Sequence, residues 1–268
     1  MKEPRTSRIV IAAVIGIAAL ALPLQAHAVL RLAMTIDSTI TVTAIDNSTV
    51  NTCTSPITVS CQLPDIDPAA GTLTLGPALA AGGALDIEIS VQTQDVAGGP
   101  GLLNRIDSTG TQVTNNGTVE HTLSIAIGAT DFAGPSVTSS TTGAGQWSTT
   151  GGPFGTSNIF MRWFDDPANG QGGTTSSPVQ PGNLLDTFSN TAGPSNPSSF
   201  SHNGGPFAVN DPALFSMTLQ FDSTISPGVR LTGRELTEVK PQAGVPQPSA
   251  LLLLGSALGL LAWRRWSN

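Results

Sequence analysis

From Leu85 to Gln92 the chain reads Leu-Asp-Ile-Glu-Ile-Ser-Val-Gln, apolar at every odd position and polar at every even one. A period of two belongs to an extended strand with one buried and one wetted face; a helix would repeat its faces every 3.6 residues or so. The same parity returns from Val119 to Ile127, with Leu123, Ile125 and Ile127 inward, and again at Phe215, Met217, Leu219 and Phe221. Leu30, Leu32, Met34, Ile36, Ile40 and Val42 keep one parity across Asp37-Ser38-Thr39, which predicts one long strand or two that share a face. Asn158 to Asp165 is apolar on both parities, with Ile159, Met161 and Trp163 against Phe160 and Phe164, as in a strand covered on both sides near the middle of a sheet.

Between these runs lie segments dense in Gly, Pro, Asn and Ser. With 29 Gly, 20 Pro and only 11% charged residues, the chain is short of the Lys and Glu that favour helices, and a bundle is excluded. Phe132 to Gln146 and Pro167 to Pro212 are the richest in Gly, Ser, Thr, Asn and Pro and are expected to be long, partly mobile loops. No internal repeat at a fixed period is visible. The predicted fold class is all-β: a jelly-roll-like β-sandwich with long Gly/Ser/Pro loops, running from Val29 to Gly244.

The two ends are of another kind. Lys2, Arg5 and Arg8 precede the apolar run Ile9 to Leu22, and Pro23 leads into the small-residue site Ala26-His27-Ala28. That is the layout of a secretory signal peptide, residues 1–28, with Val29 as the mature N-terminus. As a helix, Ile9 to Leu22 would reach only ~21 Å, short of a ~30 Å hydrocarbon core. At the other end, Val245-Pro246-Gln247-Pro248-Ser249 must be extended, since each proline disfavours helix in the residue before it. The Leu-rich run Ala250 to Trp263 then predicts a short membrane helix, and Arg264 and Arg265 hold its end in the cytoplasm by the positive-inside bias.

The order Val-Pro-x-Pro-Ser, Leu-rich helix with interspersed Gly, and terminal Arg pair resembles the PEP-CTERM sorting signal over Val245 to Trp266, with Gln247 where that family usually has Glu. The resemblance implies a protein of a Gram-negative, exopolysaccharide-producing bacterium. Its tail, residues 245–268, would be processed by an exosortase after transient anchoring in the inner membrane. Export by the Sec route to the cell surface or biofilm matrix is then the expected localisation.

Between Val29 and Gly244 there are 17 acidic against 6 basic residues, a difference of −11. With no basic stripe to neutralise phosphate, nucleic acid is excluded as a partner. Two cysteines, Cys53 and Cys61, are spaced C-x7-C with no histidine nearby, which fits neither a zinc knuckle nor a redox pair. In an oxidising compartment the expectation is one disulfide closing a small loop around Ser55-Pro56, contributing roughly 2 kcal/mol.

Residues that could carry chemistry are sparse. Within Val29 to Gly244 the histidines are His121, on the inward parity of its strand, and His202, in a Gly-rich stretch and expected to be exposed. There is no Gly-x-Ser-x-Gly elbow, so Ser, His and Asp are present without the spacing of a hydrolase. Asp65-Ile66-Asp67-Pro68 is the candidate calcium site, and Asp165-Asp166-Pro167 a second; Asp-Pro is equally a turn signal. Adjacent strand carboxylates point to opposite faces, so Asp165 and Asp166 do not form a glycosidase pair by themselves. The chain has no Tyr, and Trp147 in its Gly-rich segment is the candidate exposed platform for a sugar, whereas Trp163 reads as core. Asn116-Gly117 reads as a hairpin turn.

The expected function is therefore non-enzymatic: a structural or adhesive protein of the cell surface or extracellular matrix, with exosortase as its processing partner. The alternative is a carbohydrate-binding β-sandwich, assisted by calcium, with extracellular polysaccharide as partner.

Overall fold

A computed structural model describes residues 29–94, 104–150, 152–211 and 214–241. The expected signal peptide and the sorting motif Val245, Pro246, Gln247, Pro248, Ser249, Arg264 and Arg265 lie outside the described residues. Among those described, the single helical piece is the 3₁₀ turn Ala81–Gly83, and no helix is long and apolar enough to cross a membrane.

Among the described residues, thirteen strands form two sheets. The seven-stranded sheet runs, edge to edge, β10 (Asn183–Thr191), β9 (Asn158–Asp166), β12 (Leu214–Ile225), β7 (His121–Ala133), β1 (Leu30–Ile36), β2 (Ile40–Ile45) and β3 (Cys61–Gln62). The six-stranded sheet runs β11 (Ser198–Asp211), β8 (Ser136–Thr149), β13 (Val229–Pro241), β6 (Asn104–Asn115), β5 (Leu85–Gln94) and β4 (Thr72–Ala80). Neighbours are antiparallel except β3, which lies parallel to β2. The inward parities meet in one apolar core: Leu32, Met34 and Ile36 from β1, Ile87, Ile89 and Val91 from β5, Leu123, Ile125 and Ile127 from β7. The alternation that marks these strands is thus the two-sided exposure of a sandwich layer.

The segment from Leu30 to Val42 is two strands, β1 and β2, folded back through Asp37 and Ser38 at positive φ, with Met34 opposite Val42. Both lie on one inner face, as their common parity requires. β9 does sit inside its sheet, between β10 and β12. The Asn116-Gly117 turn is not a hairpin, because β6 and β7 belong to different sheets and the segment arches between layers.

Two expected loops are largely strand. Phe132 to Gln146 contains the end of β7 and most of β8, and Pro167 to Pro212 contains β10 and β11. Their sequences hid this because the buried positions of β8 before Trp147 are Ser136, Ser139, Thr141 and Gly143, small residues that give no apolar alternation. The remaining loop, residues 167–182, is packed against the outer face of the seven-stranded sheet. Ser176 Oγ lies 2.5 Å from Thr35 Oγ1, and Ser216 Oγ donates to the Gly170 carbonyl at 2.6 Å. The fit depends on glycine: a Cβ on Gly128 would lie 2.3 Å from the carbonyl carbon of Gly172. This cover explains why Ala33, Ala126 and Thr218 are buried although they point away from the core.

Cys53 and Cys61 form the expected disulfide, and both pack against the core at the β2–β3 edge.

Candidate functional site

Trp147 is not an exposed platform. Its position in β8 points between the sheets, where it is wholly buried; the indole tilts against Phe200 at 6.3 Å, and Nε1 donates to Asn190 Oδ1 at 3.0 Å. Gly143 and Gly145 share its inward parity and make room for the rings around it: a Cβ on Gly145 would lie 2.4 Å from Phe200 Cζ. Trp163 is core, as expected.

The calcium site expected at Asp65 and Asp67 is likewise a turn. Asp65 Oδ2 accepts the Asn47 N–H at 3.0 Å, while its Oδ1 accepts those of Asp67 and Thr74. Asp67 Oδ1 accepts the Ala69 N–H at 2.9 Å. Both oxygens of Asp65 are engaged by amide donors, the work of an Asx turn rather than of a cation ligand. Among the described residues no group of three or more His, Cys, Asp or Glu side chains gathers as a metal cluster would.

The outer face of the six-stranded sheet carries a transverse groove of about 510 Å³. Gly110 in β6, Gly233 in β13 and Gly145 in β8 line it on three adjacent strands, with Gly233 and Gly145 directly paired. Glu88, Ser90, Gln112, Gln146, Thr232 and Arg234 line the rest, with no aromatic ring among them. The groove is deepened by a bulge in β6, where the register slips around Thr109 and Gly110, and Thr109 Oγ1 donates to the Ser90 carbonyl at 3.2 Å. Arg234 is fixed by Asp107, with Nε to Oδ1 at 3.0 Å and Nη2 to Oδ2 at 2.6 Å. That bidentate bond and the Asp107 charge raise the Arg234 pKa further. The lining thus offers amides, hydroxyls, the Glu88 carboxylate and one held guanidinium, a set suited to hydrogen bonding with a polar chain.

A second polar region lies between the sheets, at the edge formed by β10 and β11. His202, expected to be exposed, is instead half-buried: its ring stacks between Trp163 at 5.4 Å and Phe188 at 4.8 Å. Its Nε2 meets Asp186 Oδ2 at 2.7 Å, and Thr141 Oγ1 donates to the same oxygen at 2.6 Å. Burial alone would raise the Asp186 pKa, but the bonds from Thr141, His202 and the Thr187 N–H, with the His202 charge, hold it below the ordinary value. The hydroxyl here bonds the carboxylate, not the imidazole, so the trio lacks the order nucleophile–base–acid of a hydrolase. It is a clamp between sheets. His121 is similarly anchored, with Nδ1 2.7 Å from Asp37 Oδ2.

Beyond the clamp, a cleft of about 590 Å³ opens between β10 and β11, lined by Asp165, Asn183, Leu184, Phe207 and Val209 among others. Asp165 and Asp166 do not act together: Asp166 accepts the Ala168 and Gly170 N–H groups, while Asp165 faces Asp211. The carboxyls of Asp165 and Asp211 are raised above the ordinary range, each chiefly by burial, and Asp165 also by the Asp211 charge. Asp211 escaped sequence reasoning because Asn210-Asp211-Pro212 looks like a turn; the parity Phe207, Val209, Asp211 is the signal that could have found it. Glu235 was also missed. It is wholly buried on the inner face of β13, and burial pushes its carboxyl up to about 8.

No family model and no curated protein matches this sequence. Among solved structures, the chain overlaps the enzymatically active domain of tailspike protein 4 of bacteriophage CBA120 at 11% identity and a TM-score of 0.28, over 56% of this chain and 18% of that one. It overlaps TmCBM61, solved with β-1,4-galactotriose, at 7% identity and a TM-score of 0.27, over 62% of this chain and 86% of that one. The CBM22-1 xylan-binding domain of Xyn10C from Paenibacillus barcinonensis overlaps at 9% identity and a TM-score of 0.28, over 65% and 89%. Overlaps this slight carry no argument about what the present chain binds.

Proposed function

We propose that this chain is an exported, non-enzymatic protein of the cell surface or matrix whose jelly-roll-like sandwich binds a neutral polysaccharide in the groove of its six-stranded sheet. The observation that carries the binding reading is the groove itself. It crosses several strands, Gly110 leaves its floor open, and its walls carry amides and hydroxyls beside the Glu88 carboxylate and the held Arg234. A sugar chain presents a hydroxyl every few ångströms, and Gln112, Gln146, Ser90 and Thr232 can each exchange hydrogen bonds with it. The excess of 17 acidic over 6 basic residues between Val29 and Gly244 disfavours a polyanionic glycan. Export, transient anchoring in the inner membrane and exosortase processing rest on the two sequence ends. The non-enzymatic reading rests on the sequence; within the clamp, Thr141 bonds Asp186 and not the imidazole of His202, so that trio is not a serine-type triad.

The test exploits Gly110. A Cβ there meets no atom within 4 Å, so Gly110→Trp fills the groove without displacing the fold. Affinity electrophoresis against neutral and uronic-acid polysaccharides should give retardation by neutral chains only. Gly110→Trp should abolish it at unchanged Tm. Undiminished binding by that variant, or no binding to any neutral glycan, overturns the reading.

A further inference from the structure

The end of the sandwich where β8, β9 and β11 meet gathers buried oxygens that lack partners. Asp211, 1% exposed, has no hydrogen-bond donor on either carboxylate oxygen; Asp165, 2% exposed, has none on Oδ1. Directly opposite Asp211 in the β11–β8 register stands Ser136, 2% exposed, whose Oγ is also without a partner. Residues directly opposed in an antiparallel pair point to the same face, with Cβ atoms roughly 5 Å apart, so the Ser136 hydroxyl and the Asp211 carboxyl are aimed into the same space. Asp165 reaches that space from β9, in the other sheet, near enough for the Asp211 charge to act on its carboxyl.

Buried carboxylates are ordinarily paired with a cation or with amide donors, as Asp107 and Asp166 are in this same molecule. Among the described residues no Lys, Arg or His side chain bonds to Asp165 or Asp211. Four oxygens from two carboxyls and one hydroxyl converge, and among the described residues no ion pair reaches them.

We propose that Asp165, Asp211 and Ser136 form a site for a hard divalent cation of the calcium type, joining the two sheets at the β10–β11 edge. The ligand chemistry selects the ion. All the side-chain donors are oxygen, which suits calcium or magnesium and not zinc or copper. Calcium accepts an irregular set of six to eight oxygens that carbonyls and water can complete, whereas magnesium demands a near-ideal octahedron. With two carboxylates the affinity belongs in the range of roughly 10⁻⁴ to 10⁻³ M seen for extracellular modules. The site is separate from the groove, which lies on the outer face of the six-stranded sheet and is lined by none of these residues.

The experiment is thermal unfolding of the full-length protein after chelator treatment, at pH 7.5, titrated with CaCl₂ and separately with MgCl₂. Calcium should raise Tm by several degrees with half-effect near ~1 mM, and magnesium by clearly less. Asp211→Asn should remove the calcium shift while folding normally, because an amide needs no counter-charge. Ser136→Ala, which deletes only one neutral ligand, should weaken the calcium dependence severalfold and serves if Asp211→Asn fails to fold. A wild type unmoved by 10 mM calcium, or variants that keep the full shift, would mean that the two carboxyls are neutralised by a shared proton, and the proposal would fall.

Discussion

His202 Nε2 sits 2.7 Å from Asp186 Oδ2, and this one contact joins β11 of the six-stranded sheet to β10 of the seven-stranded sheet. Because the Asp186 carboxyl is held below its ordinary pKa, its stabilising contribution is complete above the unfolded value of 3.8. That contribution is lost as pH falls through the lower folded value. Urea unfolding between pH 2 and pH 5 should therefore show a stability loss at the acid end that Asp186→Asn reduces. At neutral pH, His202→Ala should cost about 2–3 kcal/mol, since it removes a stacked ring and a charge-assisted bond together.

Glu235 predicts a slope of the opposite sign. Its folded pKa, about 8, lies above the ordinary value of 4.5, so across that interval the folded state holds a proton the unfolded state has released. Stability contributed at that position is full below pH 4.5 and declines as pH rises toward 8. Glu235→Gln should flatten the decline and leave the variant more stable than the wild type at pH 8, by roughly 2 kcal/mol. Chemical denaturation at pH 5 and pH 8 compares the two; an unchanged slope in the variant would sink the assignment.

Trp147 should behave as a core residue. Trp147→Ala should cost about 3–5 kcal/mol by opening a cavity between the sheets, and Trp147→Phe about 1–2 kcal/mol through the lost bond to Asn190. In any variant that folds, neutral-glycan binding measured by affinity electrophoresis should be retained. Selective loss of binding without loss of stability would return Trp147 to the ligand.

The sequence ends make a separate prediction. Mass spectrometry of the mature protein from its native host should find a chain that begins at Val29 and lacks Arg264 and Arg265. Retention of both arginines would rule out exosortase processing. Deleting Leu251 to Trp266 should release or misdirect the protein.

What the sequence made legible was set by where apolar side chains alternate. β5 and β12 announce themselves because Leu, Ile, Val, Phe and Met fill their inward positions. β8 stays silent because over most of its length it buries Ser139, Thr141 and Gly143, small residues that look the same in a strand and in a loop. The functional residues fall in this silent class. The groove is built from glycines and polar outward positions on four strands, so no local window contains it. Asp211 and Ser136 meet only through the β11–β8 register, across 75 residues of chain. Trp147 was misjudged for the same reason: without the strand, its facing could not be fixed.

The strands that come last in the chain occupy the middle of both sheets: β12 separates β9 from β7, and β13 separates β8 from β6. Until residues 214–241 arrive, the rest can pair only as fragments, β4–β5–β6, β7–β1–β2–β3, β8–β11 and β9–β10, with no strand to unite them. Folding is thus gated by the C-terminal part of the domain. The decisive contacts, such as Val113 with Leu231, are remote in sequence and slow to form. A chain threaded N-terminus first through a narrow channel would remain unlocked until almost all of it had passed, a topology that keeps a rigid sandwich competent for passage.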